Sequence, residues 1–536
     1  GRGIAAAGDV ECSLSRLAAP EAMRNLTRMA QLLADAIEAR ERLLIVADYD
    51  TDGATACAVG MRALRALNAC VDYLVPDRMR HGYGLSTEIV RHAVETRDAD
   101  VLITVDNGIA SVEGVAEANR LGLKVLITDH HLPGASLPDA WCIINPNQPG
   151  CDFPSKHLAG VGVVFYLMMA LRAELRRRGA FCQRSEPNLG TLLDLVALGT
   201  VADVVKLDHN NRILVHHGLE RMRQGRMQPG LAALFEVAGR DPRCATASDL
   251  GFVVAPRINA AGRLADMAVG IECLITDDEA RARSLASELD ALNRERRSLE
   301  ADMNESALAA VDRMAAFQDS YTLALFDPAW HQGVVGIIAS RLKDRYHRPA
   351  IAFARGVDGE IRGSGRSIPA LHLRDALDLI ATREPDLLLR FGGHAAAAGV
   401  TLREHDYARF AAAFERAAQA ALTPGDLERQ WETDGSLTLS EMTLELALLV
   451  REQVWGAGFP APRYYDVFDV TSQRIIGERH LKLRLSRAQR GFDAMVFGAT
   501  RPLPSRIAAL YRMEVNEYNG MRAVQLSVEH WHAVDS

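Results

Sequence analysis

The chain has 536 residues, of which 48% are hydrophobic and 24% charged, and its formal net charge is −8. This composition is typical of globular domains, and the length predicts three or four of them at about 150 residues each. No run approaches the roughly 18 apolar residues of a membrane span, the first fifteen residues lack the apolar stretch of a secretion signal, and the net charge argues against a protein that coats polyanions. The eight cysteines form no CxxC pair, which argues against disulfides or structural zinc and indicates a reducing, cytoplasmic location.

Short apolar runs alternate with amphipathic segments through the first 150 residues. The runs cover residues 43–47, 71–75, 101–105, 124–128 and 142–145. Continuous apolar runs separated by helical patterns predict an α/β domain with a parallel sheet covered on both faces. Ligands of such sheets bind beyond the carboxyl ends of the strands, so the residues that follow the runs are candidates for a functional site.

Two later breaks divide the rest of the chain. A capping box at Thr276-Asp277-Asp278-Glu279 predicts the start of a long polar helix, typical of a connector. A second αβ pattern follows, and after Thr423-Pro424-Gly425 the pattern becomes β-rich. We therefore expect a catalytic α/β domain over 1–270, a connector helix over 271–316, a smaller α/β domain over 317–425 and a β-barrel over 432–536.

The first apolar run ends in DYDTDG, which places Asp48, Asp50 and Asp52 at alternate positions. In an extended segment, alternate side chains point to one side. Three carboxylates on one side repel each other unless cations neutralise them. The alternative is an Asp-rich turn that caps the next helix.

Further acidic residues follow other runs. Asp106 comes after the third run, and Asp129, His130 and His131 follow the fourth. Carboxylate and imidazole together suit Mn²⁺ or Mg²⁺ chemistry. Asp203 ends a helical pattern, where it is either a turn residue or part of the same site.

Together these residues predict a phosphoesterase site with two Mn²⁺ or Mg²⁺ ions, which activate a water and stabilise charge on a phosphodiester. The predicted metal ligands are Asp48, Asp50, Asp52, Asp106, His130 and Asp203. His131 completes the predicted catalytic set.

The motifs DYDTDG, VDNG, DHH and GTVAD resemble, in order and spacing, the four acidic motifs of the DHH phosphoesterase superfamily. Many members have a histidine four residues before the DxD pair, where this chain has Val46, and Asp48 takes its place. This variation is similar to the RecJ branch, the single-strand-specific 5′→3′ DNA exonucleases. The resemblance continues through APRINAAGRL, WHQGVVGIIASRL, GSGRS and FGGHAAAAG, and so covers nearly the whole chain.

The resemblance implies a DHH domain, a DHH-associated domain and substrate-binding residues in both. Those residues are Arg257, Asn259, Arg263, Ser364, Arg366 and His394. We expect the segment 363–366 to be a Gly-rich loop in which Arg366 grips a terminal phosphate, although an ordinary flexible turn has the same composition. His394 is alternatively a buried structural histidine.

Two other segments predict contacts with a DNA strand. Arg78 and Tyr83 follow the second apolar run and suit the holding of a phosphate and the stacking of a base, unless they belong to a plain surface loop. In HLKLRLSR, leucines alternate with Lys482 and Arg484, as on a half-buried strand. Several such runs fit an OB-fold, a platform for single strands; the alternative is a solvated charged face.

The resemblance implies a cytoplasmic enzyme that releases 5′-mononucleotides from single-stranded DNA during repair and recombination. It further implies a monomer without membrane contact, with a single-strand-binding protein and a DNA helicase as partners. One alternative is a phosphodiesterase of the same superfamily for short oligonucleotides or cyclic dinucleotides, which the basic tail argues against. The other is an inactive replication scaffold, which has no reason to keep closely packed carboxylates.

Overall fold

The computed structural model describes residues 2–77, 84–314, 319–356, 359–518 and 520–534. They form two compact units. The larger comprises residues 1–262, 266–290 and 432–536, and the smaller comprises 263–265 and 291–431. Among the described helices, none combines the length and hydropathy of a membrane span.

A five-stranded parallel sheet forms the centre of the first α/β domain. Its strands are β1 (Arg42–Ala47), β2 (Cys70–Leu74), β3 (Val101–Val105), β4 (Lys124–Thr128) and β5 (Cys142–Ile144), in the order β2-β1-β3-β4-β5. The inner strands are almost wholly buried because helices cover both faces of a parallel sheet. The predicted α/β class and parallel sheet are confirmed.

In the described part of the chain, twelve helices precede the second sheet. They are α1 (Leu26–Glu38), α2 (Thr51–Ala66), α3 (Thr87–Arg97), α4 (Val112–Arg120), α5 (Gly160–Arg177), α6 (Leu193–Ala202), α7 (His209–Arg223), α8 (Pro229–Val237), α9 (Ala247–Asp249), α10 (Ala255–Leu264), α11 (Ala268–Ile275) and α12 (Glu279–Asp312). A π-helical turn, Leu250–Val254, leads into α10. The long polar helix therefore starts at Glu279, the last residue of the capping segment, and Asp278 accepts hydrogen bonds from the N–H groups of Ala280 and Arg281. Residues 271–275 end the separate helix α11.

The smaller unit contains a mixed sheet with helices. Its elements are β6 (Leu323–Phe326), α13 (Val335–Tyr346), β7 (Ala350–Arg355), β8 (Glu360–Arg366), α14 (Leu373–Arg383), β9 (Arg390–Gly393), β10 (Ala397–Arg403) and α15 (Tyr407–Ala421), with strand order β6-β7-β8-β10-β9. The expectation of a Gly-rich loop at 363–366 is wrong, because these residues pair with both β7 and β10. A Cβ at Gly363 would lie 2.5 Å from the Phe353 ring, so the glycine there serves strand packing.

The C-terminal residues form a closed five-stranded barrel, as predicted. Helix α16 (Leu444–Glu452) precedes β11 (Tyr464–Ile476), β12 (His480–Arg487), β13 (Arg490–Phe497), β14 (Arg506–Tyr518) and β15 (Met521–Ala533). The barrel closes in the order β11-β12-β13-β15-β14. Leu481, Leu483 and Leu485 are buried inside it, which confirms the alternation read from HLKLRLSR.

Within the larger unit, the segment leading into the barrel is clasped to the helical half of the catalytic domain. The backbone N–H of Leu207 donates to the Ala457 carbonyl at 2.7 Å. The guanidinium of Arg212 lies 4.1 Å from the centroid of the Phe459 ring, a cation–π contact. We call residues 455–459, with the 206–212 segment they contact, the clasp.

Candidate metal centre

The aspartates after β1 lie in a turn that leads directly into α2. Asp50 is the N-cap of α2, and its Oδ1 accepts a hydrogen bond from the Gly53 N–H at 3.0 Å. Asp52 lies in the first turn of the helix and is fully buried. The expectation of three carboxylates along an extended segment is therefore wrong, and the capping alternative is correct for Asp50. Capping occupies one carboxylate oxygen, so it leaves Asp50 able to bind a cation as well.

Helix α10 supports this turn from the other side. The Thr51 N–H donates to Asn259 Oδ1 at 2.9 Å, and the Thr51 hydroxyl donates to the Ala255 carbonyl at 3.1 Å. A Cβ at Gly262 would lie only 2.0 Å from the Tyr49 carbonyl oxygen. Asn259, predicted to bind substrate, thus has its side-chain oxygen bonded to the protein itself and positions the aspartate turn.

Asp106 follows β3 with a left-handed backbone, at φ 63°, a conformation that aspartate tolerates better than most residues. Its N–H donates to the Thr128 carbonyl at 3.0 Å, which fixes it to the end of β4. The N-terminus of α5 approaches closely, since Asp52 accepts hydrogen bonds from the N–H groups of Gly160 (2.7 Å) and Val161 (2.9 Å). A Cβ at Gly160 would lie 2.5 Å from Asp106 Oδ1. Sequence reasoning missed Gly160; the available signal was the glycine pair 160 and 162 at the start of an apolar helix.

Asp129, the first residue of the DHH triplet, is fully buried and acts as an acceptor for its neighbours. It accepts from the Ile109 N–H at 2.9 Å, and its Oδ1 lies 2.7 Å from His131 Nδ1. Burial opposes ionisation, but the hydrogen bond and charge of His131 hold the pKa of Asp129 below its ordinary value. Burial likewise lowers the pKa of His131, but the bond to Asp129 outweighs it and raises that pKa to about 9. The bond to Asp129 therefore favours the protonated form of His131.

His130 has the opposite electrostatic environment. Its Nε2 lies 3.1 Å from Asp106 Oδ1 and 3.4 Å from Asp203 Oδ2. Among the described residues, this nitrogen makes no hydrogen bond of acceptable geometry. Burial, and then the charge of His131, lower the pKa of His130 to about 4. A neutral imidazole nitrogen that faces two carboxylates is suited to binding a metal ion.

All seven residues predicted as metal ligands or catalytic groups come together. They fall into three overlapping groups whose ligand atoms lie within 4.8 Å of one another: Asp48, Asp50 and Asp106; Asp52, His130 and Asp203; and Asp106, His130 and His131. Burial, reinforced by Asp50, raises the pKa of Asp52 to about 7. Burial and the neighbouring carboxylates also raise the pKa values of Asp106 and Asp203 well above the ordinary value. Bound divalent cations would offset this repulsion, and the oxygen and imidazole donors fit Mn²⁺ or Mg²⁺.

Three family models match the chain: the DHH family, N-terminal domain, over residues 42–200; the DHHA1 domain over 318–420; and the RecJ OB domain over 433–530. The single-stranded-DNA-specific exonuclease RecJ of Dickeya dadantii is 48% identical over 99% of this chain and 94% of its own length. That of Salmonella typhimurium is 46% identical over 98% and 94%. The chain belongs to the RecJ family.

Solved structures of RecJ proteins share the fold. The crystal structure of RecJ with Mn²⁺ from Thermus thermophilus matches with a TM-score of 0.81 and 30% identity, over 98% of this chain and 74% of that one. A RecJ exonuclease bound to manganese matches with a TM-score of 0.63 and 35% identity, over 76% and 96%. Both relatives hold Mn²⁺, one of the two cations expected from the sequence.

The other predicted substrate residues of this RecJ family member lie in several places. Arg78 and Tyr83 are outside the described residues. Arg257 Nε donates to Asp290 at 2.9 Å, and Arg263 Nη1 donates to the Gly333 carbonyl at 2.9 Å. Both guanidinium groups therefore already bond to the protein.

Ser364 and Arg366 lie together on β8 in the smaller unit. Arg366 Nη1 donates to Ser364 Oγ at 3.2 Å and to the Gly365 carbonyl at 2.8 Å. A Cβ at Gly336, in the first turn of α13, would lie 3.0 Å from Ser364 Oγ. The hydroxyl, the guanidinium and a helix N-terminus thus meet, an arrangement suited to an anion. His394 is exposed, so its interpretation as a buried structural histidine is wrong.

The two predicted barrel cations differ in their surroundings. Arg484 Nη1 lies 2.8 Å from Asp493 Oδ1 on β13. This ion pair partly neutralises the positive charge that Arg484 presents to solvent. Lys482 is instead the cross-strand neighbour of Arg474 on β11. Like charges directly opposite on a sheet repel each other, and a bound phosphate would offset that repulsion. Lys482 and Arg474 are therefore a more suitable phosphate contact than Arg484.

Proposed function

We propose that this chain hydrolyses single-stranded DNA stepwise from the 5′ end, using two Mn²⁺ or Mg²⁺ ions, and releases 5′-mononucleotides. Membership of the RecJ family makes it a metal-dependent nuclease. The direction, the number of ions, the product and a role in repair and recombination are the proposal. The proposal extends to a cytoplasmic monomer that takes its strands from a helicase and a single-strand-binding protein.

The observation that carries the proposal is the overlap of the three acidic groups. Asp48, Asp50 and Asp106 can hold one cation, and Asp52, His130 and Asp203 a second. The third group, through Asp106 and His130, links these two sets. Bound there, such ions would lower the pKa of a water and offset charge on the oxygens of a phosphodiester.

The protein's own groups prepare this centre for a phosphate. The bond to Asp129 favours the protonated form of His131 and orients its ring. The His131 side chain is 44% exposed, so the protonated ring can donate a charge-assisted hydrogen bond to a phosphate oxygen. Asn259 and Ala255 fix the turn that carries Asp50 and Asp52. The ligands are thus held in place by bonds to neighbouring elements before substrate arrives.

Two further surfaces support recognition of a strand. Ser364 and Arg366, beside the first turn of α13, suit a terminal phosphate because the guanidinium can bind it with two parallel hydrogen bonds. Arg474 and Lys482 on the barrel suit the phosphates of a longer strand. A site for a 5′-terminal phosphate would define the direction of degradation.

The experiment uses the purified protein on single strands labelled at the 5′ or the 3′ end, with Mn²⁺, Mg²⁺ or EDTA. From the 5′ label we expect a labelled mononucleotide at the earliest time. From the 3′ label we expect a ladder of progressively shorter strands, and EDTA should abolish both. Early mononucleotide from the 3′ label would reverse the proposed direction.

A further inference from the structure

Three of the most exposed large apolar side chains lie on segments that adjoin the metal centre. Among the described residues, four reach or exceed 70% exposure: Leu132 (74%), Val204 (70%), Phe252 (83%) and Met521 (74%). Leu132 directly follows His131, and Val204 directly follows Asp203. Exposed aliphatic side chains are common singly, but two of these are adjacent in sequence to residues of the acidic groups.

Phe252 is attached to the same centre through its backbone. It lies in the π-helical turn Leu250–Val254, and such turns are frequent at functional sites. A Cβ at the adjacent Gly251 would lie 3.3 Å from Val201 on the last turn of α6, two residues before Asp203. The turn leads into Ala255, whose carbonyl accepts from Thr51. The backbone around Phe252 is therefore fixed against two ligand-bearing segments, while its ring is exposed.

Val204 combines an exposed side chain with an unusual backbone conformation. Its φ of 61° is left-handed, a conformation that a β-branched residue rarely adopts. Such outliers persist where the surrounding structure determines them, and here Leu207, three residues later, is bonded into the clasp. The backbone is thus held by hydrogen bonds on both sides of Val204, while the Val204 side chain is exposed.

We propose that Leu132, Val204 and Phe252 form an apolar rim that contacts the nucleobases of a strand whose phosphate lies at the metal centre, with Phe252 stacking on a base. The inference rests on the proposed function. A single strand presents charged phosphates along its backbone and flat apolar bases beside them, so a site for one needs a surface for the other. Stacking on an aromatic ring tolerates every base, as a non-selective exonuclease requires.

The test measures binding separately from cleavage. The substrates are a thymidine 12-mer and the same strand with abasic residues at the three 5′ positions. Dissociation constants are measured by fluorescence anisotropy with Ca²⁺ in place of Mn²⁺, and hydrolysis is measured with Mn²⁺. The variants are Phe252→Ala, Phe252→Tyr and, as a control, Leu449→Ala, which truncates another exposed apolar residue, 58% exposed, on α16.

The wild type should bind the thymidine strand about tenfold more tightly than the abasic strand. Phe252→Ala should reduce this ratio toward one by weakening only the thymidine strand, while Phe252→Tyr and Leu449→Ala keep it. Equal weakening of both strands by Phe252→Ala, or a wild-type ratio of one, would overturn the rim. A wild type that discriminates the strands but does not hydrolyse them would refute the proposed function and leave the rim standing.

Discussion

Replacing Gly160 with alanine should weaken the metal centre. The added Cβ would lie 2.5 Å from Asp106 Oδ1 and 2.7 Å from Asp106 Cγ, whereas ordinary contacts are about 3.5 Å or longer. Asp106 cannot retreat along the backbone, because its N–H is bonded to the Thr128 carbonyl. Its carboxylate must therefore move by about 1 Å, roughly twice the tolerance of a working site.

We expect Gly160→Ala to lower Mn²⁺ affinity by about 10–100-fold, the loss seen when a ligand's support is disturbed. The melting temperature should also fall, because the added Cβ would lie 2.7 Å from the Asp106 Cβ, which moves only with the backbone. Isothermal titration with Mn²⁺, hydrolysis as a function of Mn²⁺ concentration, and thermal unfolding measure the three quantities.

Gly162→Ala is the matched control on the same helix. Its Cβ would meet the Leu158 side chain at 2.4 Å, away from the acidic residues, so we expect a lower melting temperature with unchanged Mn²⁺ affinity. If Gly160→Ala binds Mn²⁺ as tightly as the wild type, Asp106 is not a ligand in the way inferred above.

The barrel cations, the Arg366 guanidinium and the buried Asp194 each give a measurable expectation. Lys482→Ala should lower the slope of log K against log salt for long single strands by roughly 0.7. Arg484→Ala should lower it less because Asp493 already pairs with it, and equal slopes from anisotropy titrations would contradict this. Arg366→Ala should reduce kcat/KM on 5′-phosphorylated strands by about 10–100-fold, since charge-assisted hydrogen bonds contribute about 1.5–3 kcal/mol. Arg366→Lys should have an intermediate kcat/KM. An equal loss of kcat/KM on 5′-hydroxyl strands argues against a 5′-phosphate site. Burial raises the pKa of Asp194 from 3.8 to about 6, so folding favours the protonated carboxyl. The stability that this group contributes is fully present below pH 3.8 and is lost as the pH rises through about 6. Asp194→Asn should therefore gain about 3 kcal/mol in unfolding free energy relative to wild type between pH 4 and 7, and a pH-independent difference in thermal unfolding would contradict the raised pKa.

Residues that directly follow a buried strand were predictable from the sequence. Continuous apolar runs identify parallel strands, and the carboxyl ends of such strands meet at one edge. Asp106 and the segment from Asp129 to His131 could therefore be placed together without a structure. The barrel strands were predictable for a similar reason, because leucines in alternation with Lys482 and Arg484 define an inner and an outer face.

The path of the chain after β1 could not be predicted from alternation. The Asp50 carboxylate accepts from the Gly53 N–H, so local capping turns the chain into α2 at once and places Asp52 on a helix. The requirement for Gly160 arises from Asp106, far away in sequence. The pairing of Arg484 with Asp493 depends on the register of β12 against β13. The last two of these features depend on contacts between separate elements, which a pattern along one segment does not contain.

The clasp has a consequence for how the protein is made. Its two sides, residues 206–212 and 455–459, belong to one compact unit that the chain leaves at residue 290 and rejoins at 432. At about 5–20 residues per second, the ribosome needs roughly 12–50 s to make the stretch from residue 212 to residue 455. During that interval Arg212 lacks the aromatic ring of Phe459 against which it packs, and the Leu207 N–H lacks its acceptor at Ala457. A nascent chain ending before residue 455 therefore carries the entire set of acidic ligands before the clasp can form.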